Sequence, residues 1–157
     1  MLQFSVQYTI EIPELTRQQL RSWAYRAVKK AHQHIDFDFA ELTLRFVEKE
    51  EAIALNKAYR SKDYPPNVLT FEYGVDELGT IRGDIVICLP ILQEEAKQQH
   101  KTLKQHTAHL LIHGVLHALG YDHMTEEEAE EMEALEIEIL KEAGFPNPYE
   151  ENHSFLT

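Results

Sequence analysis

Three histidines lie close together in the stretch His113-Gly114-Val115-Leu116-His117-Ala118-Leu119-Gly120-Tyr121-Asp122-His123. His113 and His117 are four residues apart, so on a helix both rings project from one face. Gly120 follows where such a helix would end, in a left-handed conformation that glycine adopts without strain. The chain can then turn back and bring His123 to the same spot. Three imidazoles with one position left open make a catalytic rather than a structural zinc site. An ion held in that way lowers the pKa of its water to about 7 and polarises a substrate oxygen.

The spacing matches the histidines and glycine of the metzincin motif H-E-x-x-H-x-x-G-x-x-H, with one departure. Gly114 occupies the place of the glutamate that serves those proteases as general base. The sequence therefore predicts a metal cage of His113, His117 and His123, holding one zinc per chain, without the protease's proton shuttle. Three-histidine sets also accept nickel and other transition ions, so the residues alone do not choose the metal. Asp122, next to a ligating histidine, is either the general base or a carboxylate that orients an imidazole. His109, one turn before His113, either hydrogen-bonds near the site or packs in the core, and His106 is the weaker candidate of the two. His32 and His34 suit the C-terminal end of an earlier helix dipole and are assigned no metal.

Elements that could hold such a helix are legible along the chain. Phe4, Val6, Tyr8 and Ile10 alternate with polar residues as in a half-buried strand, which Pro13 closes. Thr16 with Gln19 reads as a capping box. The stripe Leu20, Trp23, Ala24, Ala27, Val28 and Ala31 then predicts a helix to about His34. Its outer face carries Arg17, Arg21, Arg26, Lys29 and Lys30, a solvated face or a contact for phosphates. Leu42, Leu44 and Phe46 mark a second strand, and Ala52, Leu55, Asn56 and Tyr59 a short helix reaching about Arg60. Pro65 and Pro66 force an extended loop before a strand over Val68–Tyr73. Gly74 to Gly79 is a turn. Ile81 to Leu89 is nearly all apolar, as a central strand would be. A helix opens at Pro90, breaks between Gln98 and Lys104, and gives way to the histidine helix, which runs to about Leu119. Thr125 with Glu128 predicts a second capping box for a last helix with the stripe Ala129, Met132, Leu135 and Ile139. Gly144 and Pro146 end it, and the tail beyond reads as loose.

The 157 residues suffice for one domain with a real core. The reading is a single α+β domain, residues 1–157, with an approximately four-stranded mixed sheet packed with helices. Cys88 is the only cysteine and lies in an apolar run, so no internal disulfide forms and a reducing, cytoplasmic setting fits. No signal peptide is read at the start. The longest uncharged run, Gln105 to Tyr121, carries four of the histidines and reads as a buried helix with a site on it, not a membrane span. The net charge is −12, but it is unevenly placed. From Asp122 onward twelve Asp/Glu face one Lys, whereas the first 121 residues hold fourteen Lys/Arg against fifteen Asp/Glu. The acidity belongs mainly to the last helix, and a nucleic-acid partner is neither required nor excluded by charge.

Two further segments carry a resemblance. Leu55-Asn56, Tyr59-Arg60, Lys62-Asp63 and Asn67-Val68-Leu69-Thr70-Phe71 form one signature, and Gly83-Asp84-Ile85-Val86-Ile87 another. With the three-histidine motif they resemble the YbeY family, bacterial endoribonucleases that mature ribosomal RNA. The resemblance runs from about Leu42 to Tyr149. Pro66 and Thr70 depart from the family's more usual threonine and serine. The resemblance implies that His113, His117 and His123 are zinc ligands and that Arg60 matches an arginine essential to activity. It also implies a metal-dependent, single-strand-specific endoribonuclease acting at the 3′ end of small-subunit 16S rRNA and in ribosome quality control. Ribosomal proteins and an assembly GTPase are the implied partners.

In phosphodiester cleavage a cation must offset charge growing on the phosphorus oxygens, and the planar fork of arginine suits this task. Arg60, with His113 and Asp122, is thus a candidate catalytic residue. Read without the resemblance, Arg60 would be an ordinary surface ion-pair partner. Lys57, Lys62, Lys97, Lys101 and Lys104 are candidates to line an RNA approach. The competing functions are a metalloprotease-like hydrolase, against which Gly114 argues, and a ribosome-assembly binding factor in which zinc is mainly structural.

Overall fold

Strand β1 (Leu2–Tyr8) leads into helix α1 (Arg17–His32), whose start is fixed as the sequence predicts. The Thr16 hydroxyl accepts from the Gln19 backbone, and the Gln19 side chain reaches back to the Thr16 N–H. Strand β2 (Phe39–Val47), helix α2 (Lys49–Arg60), strand β3 (Val68–Val75) and strand β4 (Thr80–Cys88) follow. Helices α3 (Leu89–Gln98), α4 (Leu103–Ala118) and α5 (Glu126–Glu142) complete the order. This computed structural model describes residues 1–149. The looseness expected of the tail falls mainly on residues 150–157, outside the described residues, whereas Tyr149 is hydrogen-bonded to Glu136.

The four strands lie in the order β1-β2-β4-β3, with β1, β2 and β4 mutually parallel and β3 antiparallel to β4. The expected four-stranded mixed sheet in an α+β domain is therefore present. One face carries Leu42, Leu44 and Phe46 of β2 and Ile81, Ile85 and Ile87 of β4 into the main core, shared with α1, α4 and α5. The other face buries only Val47, Leu69, Val86 and Cys88 with Ala52 of α2. Burial pushes the Cys88 thiol pKa up, in keeping with an inert core residue.

Two local expectations are corrected, and one helix cap is additional to the sequence reading. β1 stops at Tyr8 because its partner register ends at Phe46, and Ile10 is left 56% exposed. Helix α4 starts with an unanticipated capping box of Thr102 and Gln105. At α5 only half the expected box forms: Glu128 N–H donates to Thr125, while no return bond from the Glu128 side chain is made.

Helix α4 sits close on the sheet, and two glycines permit it. A Cβ on Gly83 would lie 2.7 Å from the Ala118 Cβ, and one on Gly114 would lie 2.8 Å from Ile85 Cγ2. Both neighbours are buried and neither is the flexible end of a long side chain. Overpacking of this kind costs about 1–3 kcal/mol, against about 1 kcal/mol gained when alanine replaces a helical glycine. Gly83→Ala has no such helical gain and is expected to destabilise by about 1–3 kcal/mol, with Gly114→Ala costing less. Urea unfolding checks this; an unchanged midpoint for Gly83→Ala would show that α4 is not so closely seated.

Candidate metal centre

Helix α4 ends as the glycine signal requires. Gly120 has φ +108°, its N–H donates to His117 O, and Tyr121 N–H donates to Leu116 O. These are the paired bonds of a Schellman cap, and they turn the chain so that His123 returns toward the helix. The ring centres of His113, His117 and His123 lie 6.5, 5.7 and 5.9 Å apart for the pairs 113–117, 113–123 and 117–123. The structure thus gathers the three rings. Nitrogens about 2.0–2.1 Å from a tetrahedral ion would put ring centres roughly 5 Å apart, so closure needs an inward shift of about half an ångström to one ångström. Among the described residues no three His, Cys, Asp or Glu side chains meet the geometric conditions for holding an ion as they stand.

The donor set fits a divalent ion because two rings have their tautomers fixed. His117 Nδ1 lies 3.0 Å from the Tyr121 carbonyl, which can only accept, so Nδ1 carries the proton and Nε2 keeps a bare lone pair. His113 Nδ1 lies 3.1 Å from Glu136 Oε2. Glu136 is 1% exposed; burial raises its carboxyl pKa, but bonds from His109 and His113 outweigh that and hold it down at about 2. An ionised carboxylate only accepts, so His113 donates from Nδ1, and its neutral form carries the lone pair on Nε2. Such outer partners are what orient metal-ligating imidazoles. His123 is more open, its side chain 56% exposed, with Nδ1 4.0 Å from Asp122 Oδ1.

Asp122 Oδ1 accepts from the His123 backbone N–H at 2.7 Å, fixing the turn that carries the third histidine. His109 hydrogen-bonds beside the site: its Nε2 donates to Glu136 Oε1 at 2.9 Å, and Tyr149 OH donates to the same oxygen at 2.8 Å. His106 faces away, toward Glu95 at 2.9 Å.

Gly114 now has a physical reason. A side chain there would meet Ile85, so this helix face has no room for a protease-type glutamate. Apart from Glu136, the carboxylates within 4.0 Å of a ring nitrogen of the three histidines, among the described residues, are Glu72 and Asp122. Glu72 Oε1 is 3.5 Å from His117 Nδ1. Sequence reading missed both Glu72 and Glu136. The signal for Glu136 was present: it continues the buried stripe Met132, Leu135, Ile139 and Leu140 at helical spacing, where an unpartnered carboxylate would be costly. Glu72 shares the face of Thr70 by alternation along β3.

Arg60 is not joined to the histidines by any described contact. It ends α2, on the opposite side of the sheet from α4, and its side chain makes no ion pair or hydrogen bond to the described residues. The loop that follows is tied down, since the Asn56 side chain donates to Tyr64 O at 2.8 Å and Asn67 O accepts from Cys88 N–H. Lys57 and Lys62 flank Arg60, whereas Lys97 and Lys104 lie on α3 and α4 and Lys101 reaches Pro148 O, so described contacts bring them to no common groove. On α1 the basic face is largely spoken for: Arg17 lies over the Tyr8 ring, Arg21 bonds Leu2 O, and Lys30 pairs with Glu138 and Glu142.

Fold and site together define an α+β domain with three histidine rings gathered at the C-terminal end of one helix. A family model described as Endoribonuclease YbeY matches residues 5–144. Relatives named Endoribonuclease YbeY from Bordetella avium and Bordetella petrii are 53% and 54% identical over 150 residues, covering 94% of this chain and 93% and 97% of theirs. One from Janthinobacterium is 51% identical over 151 residues, 94% of each chain. The solution structure of TM1509 from Thermotoga maritima is similar at a TM-score of 0.55 and 26% identity, covering 90% of this chain and 91% of that one. The chain belongs to the endoribonuclease YbeY family.

The Glu95–His106 pair, completed by Asn67, ties α3 to α4 behind the site. The bond from His106 lowers the Glu95 carboxyl pKa from its ordinary 4.5, against burial. A carboxylate depressed on folding adds stability that is present above its unfolded value and lost as pH falls through the folded one. Glu95→Gln is therefore expected to flatten the fall in stability below about pH 4.5. Urea midpoints measured across that range check it; a slope equal to wild type contradicts it.

Proposed function

We propose that this chain is a metal-dependent, single-strand-specific endoribonuclease acting in 3′-end maturation of small-subunit rRNA and in ribosome quality control. The observation that carries the proposal is the fixed tautomer of His113 and His117, each with Nδ1 occupied and Nε2 free. Those two nitrogens with His123 would hold one divalent ion, zinc in our reading. When bound, the ion supplies Lewis acidity and water of lowered pKa.

The chain's own groups do the rest. Glu136 and Tyr121 O keep the rings oriented, and Asp122 holds the turn that delivers His123. Arg60, exposed and without an ion-pair partner among the described residues, is available to a phosphate, to which its fork can pair bidentately. We assign the proton acceptor to Glu72 or Asp122, since Gly114 leaves no side chain in the protease position. Amide cleavage is disfavoured on the same ground. RNA, with ribosomal proteins and an assembly GTPase as partners in the cytoplasm, completes the reading. Among the described residues no helix is long and apolar enough to cross a membrane.

The test is cleavage by zinc-loaded protein of single-stranded RNA and, in parallel, of casein. RNA cuts are expected, falling by about 100-fold or more in Arg60→Ala and in His117→Ala. Cuts that persist in both variants, or casein cleavage that depends on His117, would contradict the proposal.

A further inference from the structure

Aromatic side chains crowd the part of the sheet that α2 leaves open. Phe71 and Tyr73 of β3, with Leu55 and Tyr59 of α2, line a cavity of about 330 Å³ that Arg45 and Asp84 border. Tyr59 is 68% exposed and Tyr73 61%, too open for either ring to serve mainly as core. Both are nonetheless held. The Tyr59 ring packs edge-on against Phe71 with centroids 5.1 Å apart, and Tyr73 OH donates to Asp84 Oδ2 at 2.7 Å. That bond, with burial, pushes the Tyr73 phenol up to about 12. Tyr64, 52% exposed, follows in the loop with the Lys62 ammonium over its ring.

We propose that this shelf stacks unpaired nucleobases of the RNA strand, a reading that rests on the nuclease assignment above. Three observations favour this occupant. First, the rings are pre-set with exposed π-faces, and base–aromatic stacking accepts any sequence because every base has such a face. Second, Lys57, Arg60 and Lys62 stand beside Tyr59 in the chain with no ion-pair partner among the described residues, on a molecule whose net charge is −12. Free cations beside aromatics suit a polyanion better than an apolar protein surface. Third, the shelf is continuous with the candidate centre. On edge strand β3, Phe71 and Tyr73 line the shelf, while Thr70 stands against Gly114 and Glu72 approaches His117. A strand stacked on one side of β3 need only cross that edge to bring its backbone to the histidines.

A short single-stranded RNA carrying 2-aminopurine tests this, with the full chain in EDTA so that cleavage does not enter. Binding is expected to change the fluorescence as the base stacks, and Tyr59→Ala and Tyr73→Ala each to weaken binding by roughly tenfold. Tyr59→Phe, which keeps the ring, should bind as wild type does; this separates stacking from folding damage. RNA bound with unaltered 2-aminopurine signal, or alanine variants with wild-type affinity, would overturn the shelf. If the shelf binds as expected but zinc-loaded protein leaves RNA intact, stacking stands and the nuclease reading falls; cleavage without stacking gives the reverse.

Discussion

Everything near the histidines depends on how closely α4 can lie on the sheet. Gly83 and Gly114 remove the two Cβ atoms that would lift it, letting Ala118 rest over β4 and the helix backbone approach Ile85. Protein interiors are packed tightly enough that such a contact is either met or costs stability. With α4 fixed, His113 and His117 emerge beside its buried face, one toward α5 and the other toward β3. The same glycine that seats the helix removes the glutamate a metalloprotease needs. Packing and chemistry are set by one residue.

The acidic last helix has a second role hidden in its charge. Most of its glutamates are exposed, but Glu136 is buried and accepts from His109, His113 and Tyr149. Breaking a buried ionic cluster by removing one member costs about 3–5 kcal/mol, so Glu136 ties α5 to α4 as well as orienting a ring. His106, Glu95 and Asn67 form a comparable tie from α4 through α3 to the loop before β3. The proposed centre is thereby connected to the loop that follows Arg60, although no described contact joins it to Arg60 directly.

Much of this was legible from residue types. Alternation and helical spacing located the strands and helices, because they report which face is buried, and the cap at Thr16 and the turn at Gly120 followed from local chemistry. What stayed hidden depends on contacts distant in sequence. The pairing that ends β1 at Tyr8 is set by β2, and no pattern within the strand encodes it. Glu136 looked like one more solvated glutamate because its partners lie on another helix and at Tyr149. Arg60 was readable only through resemblance, since nothing local marks an exposed arginine as functional. Tyr59 and Tyr73 were read only as members of a helix and a strand, because their clustering arises when β3 and α2 are brought together.

In the proposed centre the imidazoles of residues 113, 117 and 123 take one ion together, oriented from behind by Glu136. Calorimetric titration of metal-free protein with zinc measures this directly. One equivalent per chain is expected, abolished by His117→Ala and weakened about 10- to 100-fold by Glu136→Gln. Tight one-to-one binding that survives loss of His113, His117 or His123, or no binding by the intact chain, would contradict it.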